Sequence, residues 1–292
     1  MSAIAPAYIA ACLAELEALK PGNVHRHAQG HGMTVADFER SARVSAPAIA
    51  RRGARVGARV REAIVATRAA VGQNTNLGIA LLCAPLAAAA ERGGVLRADL
   101  AAVLAELDIG DARDVFAAIV LANPGGLGSA PAHDVRAPAD VGLREAMAAA
   151  AQRDLVARQF ANGFADVLGL GGETYAAVCA AGGSSAAAAQ AVYLAFLSAH
   201  PDSHIARKFS VETAEAVRAD AAKRVAALER APAAARAEAL AAWDADLKRR
   251  GLNPGACADL TVATLFAAFL ASKCEEWPAC ATNGLPRPRN ND

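Results

Sequence analysis

The residues best suited to chemistry lie in short breaks between helix-forming stretches. The densest break is Lys20–His31, KPGNVHRHAQGH, which carries Lys20, Asn23, His25, Arg26, His27, Gln29 and His31. Pro21 fixes its own φ and drives Lys20 out of the helical region, and Gly22 opens conformations closed to other residues, so this stretch must be a loop. Groups of these types donate to phosphate, hold a metal or move a proton. The plainer alternative is a solvated loop whose histidines cap neighbouring helix ends.

Four further breaks carry similar groups. The first, VGQNTNLGIALLCAPL at 71–86, offers Asn74, Thr75, Asn76 and Gly78. Gly72 ends one helix, and Thr75 or Asn76 can cap the next. That next helix is apolar all round, so it belongs at the centre, with its N-terminus open to an internal cleft. Unpaired N–H groups and partial positive charge make such an end a site for phosphate, unless the asparagines only close the turn.

The second, NPGGLGSAPAHDVR at 123–136, has glycines too irregular for a dinucleotide fingerprint and no preceding strand. It does set His133 beside Asp134, a base next to a carboxylate. In the third, HPDSHIARK at 200–208, Asp202 or Ser203 can cap a short helix bearing His204, Arg207 and Lys208, a turn able to hold polyphosphate. The fourth, LNPGACADL at 252–260, is a turn with Asn253 and Gly255 that leads Asp259 into the first turn of a last apolar helix. There Asp259 complements the helix dipole or holds a metal.

The elements that position these groups all read as helices. Alanine is abundant, and valine and isoleucine recur at helical spacing, not in alternating runs. Helices are expected over about 5–18, 34–52, 58–70, 77–90, 96–107 and 112–122. Residues 141–168 read as one long helix or two short ones, with Asp154 and Arg158 as a surface pair, and further helices follow over 173–180 and 184–199. Thr34 with Asp37 resembles a capping box. Residues 210–250, rich in Ala, Glu and Arg and broken at Pro232, read as an exposed hairpin with a solvated charged face, one that leaves room for a homodimer. The expectation is an all-α fold: a single multi-helix globular domain over 1–274 with its polar loops gathered at one cleft, and a disordered tail over 275–292.

Composition narrows the function. The chain has 292 residues, a net charge of +1 and 4% aromatic residues, without a concentrated basic patch or stacking platforms, so nucleic acid is not an expected partner. The longest apolar run, interrupted by Pro85, suits a buried helix and not a membrane span. The N-terminus has no basic start of the signal-peptide kind. The six cysteines are scattered and form no CxxC pair, so they read as small buried hydrophobes in a reducing, cytoplasmic compartment, with Cys274 and Cys280 unpaired.

Four motifs in this order, KPGNVHRH at 20–27, NTNLGIALL at 74–82, PDSHIARK at 201–208 and LNPGACADL at 252–260, resemble the triphosphoribosyl-dephospho-CoA synthase family over roughly 14–270. The resemblance implies an all-helical fold. It also implies a transferase reaction in which dephospho-CoA attacks the ribose C1′ of ATP, releases adenine and keeps the triphosphate. Chemistry of this kind passes through an oxocarbenium-like state and calls for a carboxylate near the ribose, a donor to the leaving base, and Mg²⁺, cations and helix N-termini around the phosphates.

On that basis His25, Asp134 and Asp259 are the catalytic candidates, and Asp134 and Asp259 the metal candidates. The binding candidates are Lys20, Asn23, His27, His31, Asn74, Thr75, Asn76, Gly78, Ser203, His204, Lys208, Asn253 and Gly255. Two positions depart from the citrate-lyase branch: His25 stands where an acid is usual, and Asn76-Leu77 where His-Lys is usual. The pattern is closer to a divergent branch found alongside methanopterin-linked one-carbon metabolism. The alternative is therefore an enzyme or binding protein in tetrahydromethanopterin-type cofactor synthesis, acting on a phosphorylated pterin or nucleotide.

Overall fold

The computed structural model describes residues 3–271, which form fourteen α-helices and one π-helical turn. In chain order these are α1 (Ile4–Glu17), α2 (Val35–Ile49), α3 (Val56–Val71), α4 (Leu77–Ala90), α5 (Leu96–Ala105), α6 (Ile109–Ala122), α7 (Leu143–Ala150), α8 (Leu155–Asn162), the π-helical turn Val167–Gly171, α9 (Gly172–Ala180), α10 (Ser185–Ala199), α11 (Ser203–Lys208), α12 (Val211–Arg230), α13 (Ala233–Arg249) and α14 (Gly255–Ala271). No strand occurs among the described residues, and none of their helices is long and apolar enough to cross a membrane. The expected fold class holds.

The two most apolar stretches set the architecture. Nearly every side chain of α4 and of α14 is buried, and the two helices pack against each other at the centre. A helix without a polar face cannot meet water on any side, so the amphipathic helices must surround this pair. On one flank α1, α2, α3 and α6 pack in succession; on the other, α10 joins α14 to α9 and α12.

Local signals place the helix ends. Thr34 and Asp37 form the expected capping box at the start of α2, and Asp108 with Asp111 forms a second one at α6. The stretch 141–168 resolves into two short helices because Asp154 accepts from the amides of Val156 and Ala157 and so begins α8. Asp154 is thus a cap, and it pairs with Arg207 while Arg158 pairs with Asp166; the expected Asp154–Arg158 surface pair does not form.

The α12–α13 hairpin breaks at Pro232 as expected but is not a wholly solvated element. Leu240, Trp243, Asp244 and Leu247 of α13 are buried, so its apolar stripe is used within the chain. The Arg224 guanidinium lies 5.5 Å from the Trp243 ring, a cation–π contact that ties α12 to α13. Cys12, Cys83 and Cys257 are buried free thiols, in keeping with their apolar contexts. Cys179 is disulfide-bonded, which corrects the reading of all six as thiols. Cys274, Cys280 and the tail from 275 lie outside the described residues.

Candidate active site

The breaks meet at one cleft of about 970 Å³. Its floor is where the first turns of α4 and α14 touch. Gly78 in α4 lies so close to Asp259 in α14 that a Cβ at position 78 would overlap the Asp259 carboxyl. Glycine is thus required here by close approach, not by its φ. Burial raises the Asp259 pKa well above the carboxylate range, and the nearby carboxylates of Asp202 and Glu15 raise it further. Its proton is therefore held more firmly than that of an exposed carboxyl.

The loop 20–31 forms one rim. Asn23 and Asn253 both line the cleft, and Asn23 Nδ2 donates to Asn253 Oδ1 at 2.7 Å, joining the first motif to the last. Lys20 does not reach the cleft. It is 0% exposed, forms an ion pair with Glu15 and donates to Asn23 Oδ1 at 2.9 Å. Its predicted phosphate contact is absent because the chain buries the ammonium against a carboxylate that itself lines the cleft.

His25 is likewise turned away. Its Nε2 lies 3.2 Å from Asp244 Oδ2, which also accepts from Lys248 at 2.9 Å, while Asp244 Oδ1 accepts the Gly22 amide at 2.8 Å. Gly22 has φ +84°, and a Cβ there would stand 2.8 Å from the Leu252 carbonyl oxygen. Asp244 thus clamps a turn that only glycine can make. His27 is exposed outside the cleft. His31 does line it, and its Nε2 donates to the Gly22 carbonyl at 2.8 Å.

Helix α11 forms the opposite rim. Asp202 Oδ1 accepts the amides of His204 and Ile205 at 2.8 and 3.1 Å, while its Oδ2 accepts the Cys257 amide at 2.8 Å. One buried carboxylate thereby caps α11 and locks it to the start of α14. Ser203 Oγ accepts the Leu155 amide at 3.2 Å, and Arg207 pairs with Asp154, so α8 is held to the same rim. His204, Arg207 and Lys208 line the cleft. Gly255 is required opposite His204, since a Cβ there would overlap the ring at Nδ1.

At the start of α4 the cap is Asn74, not Thr75 or Asn76: its Oδ1 accepts the Leu77 amide at 3.1 Å. Thr75 instead meets Ser41 Oγ at 2.5 Å, and Asn76 Nδ2 donates to Ser45 Oγ at 3.2 Å. Ser45 in turn contacts the Tyr8 hydroxyl at 3.0 Å. These hydroxyls and amides fix the entry of α4 from behind.

Residues 123–135 close a further side. Asp134 accepts the Ala130 amide at 2.8 Å and the Arg136 amide at 2.9 Å, one at each oxygen, and these bonds hold its carboxyl below the usual range. His133 pairs with Asp140 at 2.7 Å, not with its neighbour Asp134. Phe116, Ile119, Leu127 and Met147 give this side an apolar lining. Among the described residues no group of three His, Cys, Asp or Glu side chains is disposed to hold a metal. Asp134 and Asp259 both line the cleft, the first with one loop amide on each oxygen and the second on the floor beside Gly78, and neither belongs to such a group.

Of the predicted residues, Asn23, His31, Asn74, Thr75, Asn76, Gly78, Asp134, Ser203, His204, Lys208, Asn253, Gly255 and Asp259 share this cleft, whereas Lys20, His25 and His27 do not. The groups that sequence reasoning missed are Glu15 and Asp244, whereas Asp202 caps α11 as expected and Asp154, read as half of a surface pair, is a cap. Each missed carboxylate sits in a helix where an exposed role was equally consistent with its neighbours.

An all-helical scaffold thus gathers the polar groups of four separated breaks and a buried carboxyl of raised pKa into one cleft. The chain matches, over residues 1–277, the CitG family of ATP:dephospho-CoA triphosphoribosyl transferases, and it belongs to that family. It is an enzyme of that transferase type, and ATP is the family's substrate. The tetrahydromethanopterin alternative is not favoured. The fold is shared with the crystal structure of an Archaeoglobus fulgidus protein provisionally assigned as a triphosphoribosyl-dephospho-CoA synthase. The two are 24% identical, the match covers 83% of this chain and 99% of that one, and the TM-score is 0.63. A search of curated protein sequences finds no match.

Proposed function

We propose that the cleft transfers the triphosphoribosyl group of ATP to a ribose hydroxyl of dephospho-CoA, with Asp259 as its proton-exchanging group. The acceptor oxygen bonds to C1′ as the bond from C1′ to adenine breaks. Neutral Asp259 gives its proton to the departing adenine and recovers one from the attacking hydroxyl, so protons balance over the cycle. The observation that carries this reading is the position of Asp259 on the cleft floor, between two helix N-termini and among the four motifs.

Lys208 and the first-turn amides of α4 beyond Leu77, whose own amide Asn74 caps, receive the triphosphate, with His31 and His204 beside them. Asn23 and Asn253 set the rim against which the ribose rests. Asn74, Thr75, Asn76 and Ser203 hold the surrounding backbone. A magnesium ion prefers six oxygen ligands, and the carboxylates here do not supply a cage, so Mg²⁺ arrives on the ATP phosphates as part of the substrate.

The test is adenine release, followed by chromatography, from ATP and Mg²⁺ with dephospho-CoA. Release should require dephospho-CoA and should fail with CoA, whose 3′-phosphate crowds the acceptor hydroxyl. Release that needs a phosphorylated pterin instead would refute the acceptor assignment.

A further inference from the structure

His31 and His204 line the cleft from opposite rims, with Lys208 near enough to act on both and His31 near enough to act on His204. The His31 Nε2 is committed to a carbonyl oxygen, which can only accept, so that nitrogen carries the proton and Nδ1 of the neutral ring is bare. His31 itself has φ 58°, an uncommon backbone for a residue with a Cβ, and one that the loop maintains while holding the ring at Gly22. The His204 ring makes no hydrogen bond with any described residue and is packed against Gly255. Lys208 has no carboxylate partner among the described residues, whereas Arg207 next to it is paired with Asp154.

We propose that this part of the cleft binds an anionic phosphate group together with protons, the two imidazoles becoming cationic as the anion docks beside Lys208. The inference rests on the triphosphate reading above and adds how the anion is recognised. Burial holds both imidazoles below the usual histidine range in the free protein, and nearby cations add to this: Lys208 and Lys248 act on His31, and Arg207, Lys208 and His31 act on His204. The opposing groups are the Gly22 carbonyl and Asp244 for His31, and Asp202 for His204. A docked phosphate offsets the cationic repulsion and accepts from the ring N–H groups. Both pKa values then rise, and protons enter with the ligand. If one proton is taken up, affinity falls about tenfold for each unit of pH rise across the range between the free and bound pKa values.

The experiment is calorimetric binding of inorganic tripolyphosphate to the full chain in buffers of different ionisation enthalpy, at pH 6.5 to 8. The double variant His31→Gln/His204→Gln is measured alongside. The ligand's own protonation is common to both proteins, so the difference isolates protons taken up by the imidazoles. The expected result is a net uptake of about one to two protons by the native protein relative to the variant, one for each imidazole that charges. Histidine Cε1–H resonances should also move to higher pKa on saturation with ligand. Binding with identical proton stoichiometry in both proteins would overturn this inference and leave the triphosphate reading standing. Absence of binding by either tripolyphosphate or ATP would overturn both.

Discussion

Asn23 and Asn253 face each other across the rim of the cleft, Nδ2 to Oδ1 at 2.7 Å, and this bond joins chain segments 230 residues apart. Both are 6% exposed, so each amide depends on the other in place of water. Asn23 Oδ1 also accepts from Lys20, which makes the pair the visible end of a buried chain running back to Glu15. Replacing Asn23 by Ala leaves polar groups without partners at both ends. A cost of about 2 kcal/mol is expected, read as a lower midpoint in urea, together with reduced adenine release.

Gly78→Ala separates stability from activity. Alanine in a helix interior is favoured over glycine by about 1 kcal/mol, which offsets local crowding. The added methyl nevertheless occupies the space of the Asp259 carboxyl. Adenine release should fall more than about tenfold while the melting temperature moves by no more than a few degrees. Full activity in this variant would remove Asp259 from the reaction.

Asp259→Asn keeps the shape and removes the proton. Loss of proton exchange should lower turnover by about 10²–10⁴. Stability should respond in the opposite sense, with a definite pH dependence. A carboxyl whose folded pKa is raised contributes stability at low pH that is lost as pH rises through the folded value. The variant has no such ionisation, so its melting temperature should gain on the native protein as pH increases from about 4 upward. Parallel pH profiles for the two proteins would contradict the raised pKa.

Lys20 tests the difference between a ligand contact and a structural ion. Lys20→Met strands the Glu15 carboxylate, a loss expected to cost about 3–5 kcal/mol. Adding Glu15→Gln removes the stranded charge and should recover much of that stability. Because Lys20 is absent from the cleft lining, ATP affinity in the double variant should stay within a few-fold of the native value by calorimetry. A loss of ATP binding that persists after stability is recovered would return Lys20 to the phosphate site.

The fold was legible because its strongest determinants are local. Alanine-rich helical spacing, the Thr34–Asp37 box and the glycine and proline breaks act within a few residues, and the all-round apolarity of Leu77–Ala90 places that helix at the centre without further information. The gathering of Asn74–Gly78, Ser203–Lys208 and Asn253–Asp259 at one cleft was expected because the chain confines its polar groups to the breaks between helices. What sequence could not reveal was which charges go inside. Asp244 and Lys248 are spaced as an ordinary surface pair on a helix, yet they flank Trp243 and Leu247 and are drawn in with them to clamp Gly22. That signal, a charged pair interleaved with a buried aromatic stripe, was present but equally compatible with a solvated face. Lys20 was misplaced for the related reason that its counter-ion, Glu15, lies in the preceding helix with nothing in its spacing to mark it as buried.

The floor of the cleft belongs to α4 and α14, the buried pair at the centre of the fold. Catalytic machinery carried on a hinged flap can melt while the body of an enzyme survives. Here the carboxyl proposed to react is seated on the two innermost helices, whose burial ties their opening to that of the whole fold. Heat inactivation should therefore coincide with global unfolding, with no cooler step in which activity is lost first. A saturating nucleotide should retard amide exchange in the innermost helices as much as at the rim that touches it.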